Sequence, residues 1–194
     1  MICAGVLLTG GQSRRMGRDK ASIPSDDPGA GTTLAARTAG LLGSVCRRAV
    51  EVGPGHSALP VVDEVGPGRG PLSALVAGWN ALKAGGWDGP VLVVATDLPN
   101  LTGGMLEWLA GRPGGRSVVP VANGRVQPLC ARYSPTDLDR AAQLVADGER
   151  SMKALLAATE PELVHESVWA PAVGGVSVLE DVDTPEDLKR VTDR

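Results

Sequence analysis

Residues 8–20 read Leu-Thr-Gly-Gly-Gln-Ser-Arg-Arg-Met-Gly-Arg-Asp-Lys and follow directly on the apolar run Ile2–Leu7. That order describes a strand feeding a glycine-rich loop. Gly10 and Gly11 carry no Cβ, so consecutive backbone N–H groups can turn toward one point and form an anion nest. Arg14, Arg15, Arg18 and Lys20 add four cations within seven residues, which suits a phosphate chain. No Gly-Lys-Ser/Thr closes the loop, so it is not a Walker A motif. The glycine spacing also fails the dinucleotide fingerprint.

Moving outward, strand-like runs recur at Ile2–Leu8, Arg48–Val52, Leu59–Val62, Val91–Ala95, Ser117–Val121, Pro128–Tyr133 and Val176–Leu179. Several are apolar throughout, as strands covered on both faces require. Helical spacing fills Pro71–Lys83, where Leu72, Leu75, Val76, Trp79 and Leu82 share a face, and further helices are expected at Thr102–Ala110, Thr136–Ala146 and Ser151–Ala158. Alternation of strands and helices predicts a layered α/β domain with a mostly parallel sheet. Pro24–Thr33, rich in Gly, Pro, Ser and Asp, reads as a mobile loop.

The length of 194 residues suits one domain spanning 1–194. Its core is expected to be mainly aliphatic, because the chain has no Phe and one Tyr. Net charge is −3, so the cationic loop is a local feature and not part of a polyanion-binding surface. A nucleic-acid partner would call for a wider basic stripe, with aromatics where single strands stack. Cys3, Cys46 and Cys130 are far apart and odd in number, which suggests neither a disulfide framework nor a zinc site. Cys3 and Cys130 read as small buried strand residues of a cytoplasmic protein. With Met1 leading straight into a strand, no signal peptide is expected, and no apolar stretch approaches a membrane span.

Ligands of such sheets bind beyond the carboxyl ends of the strands. Gly10–Gly11, Asp63, Asp97 and Asp183 each follow an expected strand, which brings an anion cradle and three carboxylates to one edge. Asp97 is placed to hold Mg²⁺, an ion that favours one or two carboxylates plus substrate phosphate oxygens. It could instead cap a helix, but Thr102 lies nearer the next helix and is the better cap. Thr184, Pro185 and Asp187 read as a helix start; Asp183 is not needed for it and is left to metal or acceptor, while Asp181 is read as solvated. The run Gly66–Leu72 either lets a flat ring approach the backbone or is simply a tight turn. Gln127 could offer an amide to an acceptor. Arg150 and Lys153 could meet an acceptor phosphate, or flank an ordinary helix cap at Ser151. His56 and His165 are isolated in the sequence, with no carboxylate or cysteine partner in view, and receive no catalytic role.

The spacing Gly-Gly-x-Ser-x-Arg-Met-Gly-x-Asp-Lys resembles the signature of the molybdenum cofactor guanylyltransferases, the MobA family of nucleotidyltransferases. The resemblance runs from about Val6 to Leu188 and takes in Asp63, Gly70-Pro71-Leu72, Asp97-Leu98-Pro99, Gln127-Pro128 and Asp183-Thr184-Pro185-Glu186. It implies a three-layer αβα Rossmann-like domain. It also implies transfer of GMP from Mg·GTP to the phosphate of molybdenum-bearing molybdopterin, with release of pyrophosphate. Transient contact with cofactor-assembly or target enzymes goes with that role.

On this resemblance Leu8, Thr9, Gly10, Gly11, Lys20 and Asp63 contact nucleotide and Asp97 contacts it through Mg²⁺; Gln127 remains a candidate for the acceptor, and Asp183 for acceptor or metal. Arg15 and Lys20 then neutralise charge developing on the transferred phosphates, and no protein nucleophile is needed. Paired glycines at Gly10–Gly11 favour guanine, since cytidylyl relatives tend to have alanine before the glycine. The chain departs from the family in its longer Pro24–Thr33 segment, which is read as a lid. Glu51-Val52-Gly53 lacks an Asn common there, and Asp181 and Asp183 stand where Asn is frequent. A related cytidylyltransferase, a sugar-phosphate nucleotidyltransferase and a silent nucleotide-binding partner are the competing readings.

Overall fold

The computed structural model describes residues 2–10, 21, 33–63 and 70–182. The expected lid at Pro24–Thr33 lies outside the described residues except for Thr33, which caps the first helix.

The chain runs β1 (Ala4–Leu8), α1 (Leu34–Val45), β2 (Arg48–Val52), β3 (Val61–Val62), α2 (Pro71–Ala84), β4 (Val91–Ala95), α3 (Gly103–Gly111), β5 (Val118–Ala122), β6 (Arg125–Val126), β7 (Cys130–Tyr133), α4 (Pro135–Ala146), α5 (Met152–Thr159), β8 (Glu162–His165) and α6 (Glu166–Val173). Hydroxyl side chains start four of the helices. Thr33, Thr102, Ser134 and Ser151 accept from the backbone N–H of Ala36, Met105, Asp137 and Ala154, satisfying donors that a helix start leaves open. Pro71 and Pro135 sit in the first turns of α2 and α4, where a missing N–H costs nothing.

The sheet order is β3-β2-β1-β4-β7-β5-β6, with β8 paired to β5. β1 lies between β2 and β4 and is parallel to both, Leu8 standing opposite Val52 on one side and Ala95 on the other. β7 runs antiparallel to β4 and β5, and β8 is parallel to β5. Alternate side chains of the central strands feed two cores. Leu7, Leu92 and Val94 join Leu42 of α1, Met105 of α3 and Trp169 of α6 on one face. Val6, Val91 and Val93 join Leu75 and Trp79 of α2, Leu138 of α4 and Leu155 of α5 on the other. This is the three-layer arrangement expected.

One expected strand is not a strand. Val176–Leu179 forms a 3-10 turn that buries Val178 and Leu179. Gly174 and Gly175, at φ +97° and +113°, end α6 and redirect the chain away from the sheet. A four-residue apolar run does not by itself separate a strand from a helical turn. The last strand among the described residues is instead Glu162–His165, a short run flanked by polar residues with only Val164 buried. The strand expected at Leu59–Val62 narrows to Val61–Val62, because Pro60 offers its carbonyl to Glu51 but has no N–H to extend the ladder.

Helix α2 packs so closely over β1 that Gly78 is required in its middle. A Cβ there would meet both γ-carbons of Val6 at 2.7 and 2.9 Å. Gly78→Val should therefore destabilise the fold by about 2 kcal/mol through overpacking, despite its better helix propensity, and should lower the urea midpoint. An unchanged midpoint would show that α2 can lift from the sheet without cost.

Candidate functional site

The carboxyl edge of the sheet carries the polar groups in strand order. Asp63 follows β3, Glu51 to Gly53 end β2, Thr9 and Gly10 follow β1, Asp97 follows β4, and Gln127 precedes the antiparallel β7. The chain steps outward from β1 to β2 and β3, then returns to place β4 on β1's other side. Thr9-Gly10 and Asp97 flank that reversal, the position where open α/β sheets hold their ligands. Asp63 is exposed and lies three strands from Asp97, on the order of 14 Å at a spacing of about 4.8 Å per strand.

Asp97 is half-buried just beyond β4. The Cys130 thiol beside it is pushed up to about 12, by burial first and then by the Asp97 charge. Its backbone carbonyl accepts from the N–H of Val182 at 2.9 Å. The segment expected to carry an acidic contact to the site thus reaches Asp97 even though Val176–Leu179 is no strand. Asp183 itself lies outside the described residues. The helix cap nearby is Thr102, as expected, so Asp97 is not needed for that purpose. Gln127 is brought to the same edge by two backbone bonds: its N–H donates to Pro120 and its carbonyl accepts from Cys130. Leu129, two residues on, accepts from Ala95.

Leu8 is buried in the ladder between Val52 and Ala95, so its side chain belongs to the core and only its backbone reaches the edge. Thr9 is likewise turned inward. Its hydroxyl donates to Glu51 Oε1 at 2.6 Å, and its N–H donates to the Val52 carbonyl at 3.1 Å. Gly10 N–H is directed at the same carbonyl, at 3.4 Å. The anion nest expected from Gly10 and Gly11 therefore does not draw on Gly10, whose N–H is turned to β2. Gly11, Arg15 and Lys20 lie outside the described residues.

Other expected contacts resolve into local structure. Arg150 donates to the Val145 and Glu149 carbonyls at the end of α4, and Ser151 caps α5, so the helix-junction reading holds for both. Gly70, at φ +88°, presses against the Arg150 carbonyl, which a Cβ would approach to 2.9 Å. Gly70 is thus held by a close backbone approach at the start of α2, and residues 66–69 lie outside the described residues. His165 stands at the start of α6 and makes no side-chain cap. Among the described residues no cluster of three His, Cys, Asp or Glu side chains could enclose a metal. Sequence reasoning treated Glu51 only as a missing Asn. Its role was unread because a single acidic residue in an apolar strand announces nothing until its partners are folded around it.

A mixed, mostly parallel sheet between two helical layers, with Thr9-Gly10 and a carboxylate at its reversal point, has the build of a Rossmann-like nucleotidyltransferase. The chain belongs to the MobA-like NTP transferase domain family, which it matches over residues 5–164. It is an enzyme of the nucleotidyltransferase class. It is 41% identical over 164 residues to a Mycobacterium tuberculosis protein named "Probable molybdenum cofactor guanylyltransferase", covering 81% of this chain and 80% of that one. Its fold is similar to that of molybdopterin-guanine dinucleotide biosynthesis protein A from Archaeoglobus fulgidus, with TM-score 0.76 and 20% identity over 98% and 97% of the two chains. It is also similar in fold to a Mycobacterium tuberculosis protein crystallised as a manganese complex, with TM-score 0.63 and 17% identity over 100% of each chain.

Gly53 is the point where β2 meets the turn after β1. Its φ of +145° is unfavourable to other residues, and a Cβ would stand 2.2 Å from Thr9 Oγ1 and 2.7 Å from Gly10 N. Gly53→Ala should cost roughly 1–3 kcal/mol of stability, read from its melting curve. A melt matching wild type would mean that Thr9 and Gly10 are free to move off β2.

Proposed function

We propose that the enzyme transfers GMP from GTP to the phosphate of molybdenum-bearing molybdopterin, releasing pyrophosphate. The observation that carries the chemistry is the placement of Asp97 and the Thr9-Gly10 turn on adjacent strands at the sheet's reversal point. The guanylyl and molybdopterin parts rest on the relative at 41% identity and on the signature Leu8–Lys20.

In this reading the base lies toward β1, β2 and Asp63, and the phosphates lie toward Asp97. Asp97 suits Mg²⁺: it is a hard oxygen donor at a strand end, half-open to a ligand, and its charge is felt by the Cys130 thiol beneath. When bound, the cation would neutralise phosphate oxygens and polarise the α-phosphorus. Arg15 and Lys20 are assigned to the charge developing on the α-phosphate and departing pyrophosphate. Leu8, Thr9 and Gly10 are assigned to the nucleotide through backbone carbonyls, since the Thr9 and Gly10 N–H groups are turned to Val52 and the Thr9 hydroxyl is committed to Glu51. Gly11 is assigned to the nucleotide with them, Gln127 to the acceptor, and Asp183 to acceptor or metal.

An acceptor phosphate oxygen attacks the α-phosphorus, the α–β bridging bond breaks, and its electrons leave with pyrophosphate. The nucleophile is already ionised, so the protein needs to align it and offset charge without supplying a base. The reading includes a cytoplasmic setting, which the three free thiols suit, and transient contact with enzymes that deliver or receive the cofactor. Among the described residues no helix is long and apolar enough to cross a membrane.

The test is pyrophosphate release with molybdopterin-type acceptor, comparing kcat/KM for GTP and CTP. A clear preference for GTP is expected. A preference for CTP would overturn the guanylyl assignment and leave nucleotidyl transfer intact. Asp97→Asn should keep the fold, flatten the Mg²⁺ dependence, and lower turnover by about 10²–10³. A mutant that titrates with Mg²⁺ like wild type would remove Asp97 from the metal site. Lys20→Ala should lower turnover by a similar factor. Turnover within about threefold of wild type in the folded variant would withdraw its charge-stabilising role.

A further inference from the structure

We infer that Glu51 is the positioning residue for the base end of the nucleotide site. The inference rests on the reading above that a nucleoside triphosphate lies across the ends of β1 and β4. Glu51 is fully buried near the end of β2, in a strand otherwise carrying no acid. Its Oε1 accepts from Thr9 Oγ1 at 2.6 Å, Gly55 N at 3.0 Å and His56 N at 2.6 Å. Its Oε2 accepts from Ser57 N at 2.8 Å and Ser57 Oγ at 2.6 Å. Five donors from two separate segments thus converge on one carboxylate.

The consequence is mechanical. Thr9 is where β1 leaves the sheet toward the cationic loop, and 55–57 is the turn after β2. Neither segment has a regular ladder to hold it at this point. Glu51 joins them, while the Val52 carbonyl takes the N–H groups of Thr9 and Gly10 and Gly53 lets the two backbones touch. On the β2 side of the expected base pocket, Glu51 is thus the side chain that ties Thr9 to the 55–57 turn.

The arrangement demands the ionised form. Every neighbour is a donor, and a protonated or amide group would turn one oxygen into a further donor facing them. Burial opposes the charge, but the hydroxyls of Ser57 and Thr9 and the N–H groups of His56 and Ser57 outweigh it and hold the carboxyl below its ordinary value. Glu51→Gln is consequently not a mild change. Whichever way the amide turns, its NH₂ meets the N–H of Ser57 or those of Gly55 and His56.

The test measures Mg·GTP and Mg·CTP binding by calorimetry without acceptor, and KM and kcat with acceptor, for wild type, Glu51→Gln and Ser57→Ala. Ser57→Ala removes one donor to Oε2 and leaves the carboxylate in place, so it reports on the network even if Glu51→Gln fails to fold. The expected result is a Kd and KM for GTP raised at least about tenfold in Glu51→Gln and by less in Ser57→Ala. At saturating GTP, kcat should stay within about threefold of wild type, because Glu51 does not reach the reacting phosphates. Folded variants with unchanged Kd and KM would overturn the positioning role, as would a loss of kcat at unchanged KM. Wild type that binds neither nucleotide would overturn the site reading beneath it.

Discussion

β1 is buried along its whole length and hydrogen-bonded on both sides, and the remaining architecture follows from that constraint. A strand with parallel neighbours on both edges and helices on both faces has no surface for polar side chains, so Ala4–Leu8 is apolar throughout. The chain regains polar chemistry only after Leu8, at Thr9. The same holds for β4, which becomes polar at Thr96 and Asp97. Two adjacent strands that must turn polar at the same edge make that edge the place for a charged ligand, before any particular residue is considered.

The energetics at this edge differ from those of the core. Apolar burial there is replaced by a few saturated polar groups whose value lies in leaving nothing unpaired. Glu51 is the clearest case. A buried carboxylate alone would be costly, yet with five donors it joins Thr9 to the turn at 55–57. Gly53 and Gly78 serve the same end by absence, since each permits an approach that a Cβ would block. The site is held by close contact among backbone segments, which suits an enzyme whose chemistry is alignment and charge offset more than bond-making by its own side chains.

Much was legible because it depends on local pattern. The apolar runs of β1 and β4, the helical spacing from Pro71 onward, and the caps at Thr102 and Ser151 are local decisions, and each stands where the pattern put it. Val176–Leu179 misled because its length and apolarity fit two local structures, and Gly174 and Gly175 upstream turn the chain away from the sheet. Glu162–His165 escaped notice for the opposite reason. An edge position on β5 tolerates polar flanks, so its pattern is weak.

The sequence by itself determined the layered α/β class, the family, and that Asp63 and Asp97 each follow an apolar strand. These follow from periodicity and from the spacing of a loop whose residues are contiguous. Tertiary structure alone decided which groups at the edge are open to a ligand and which are spent inside the protein. Thr9 turns to Glu51, Gly10 N–H turns to Val52, Arg150 closes the end of α4, and Val182 reaches Asp97. Each joins residues separated along the chain or chooses among partners that only the fold makes neighbours. A hydrogen bond is fixed by distance and direction, and neither is written in the order of residues.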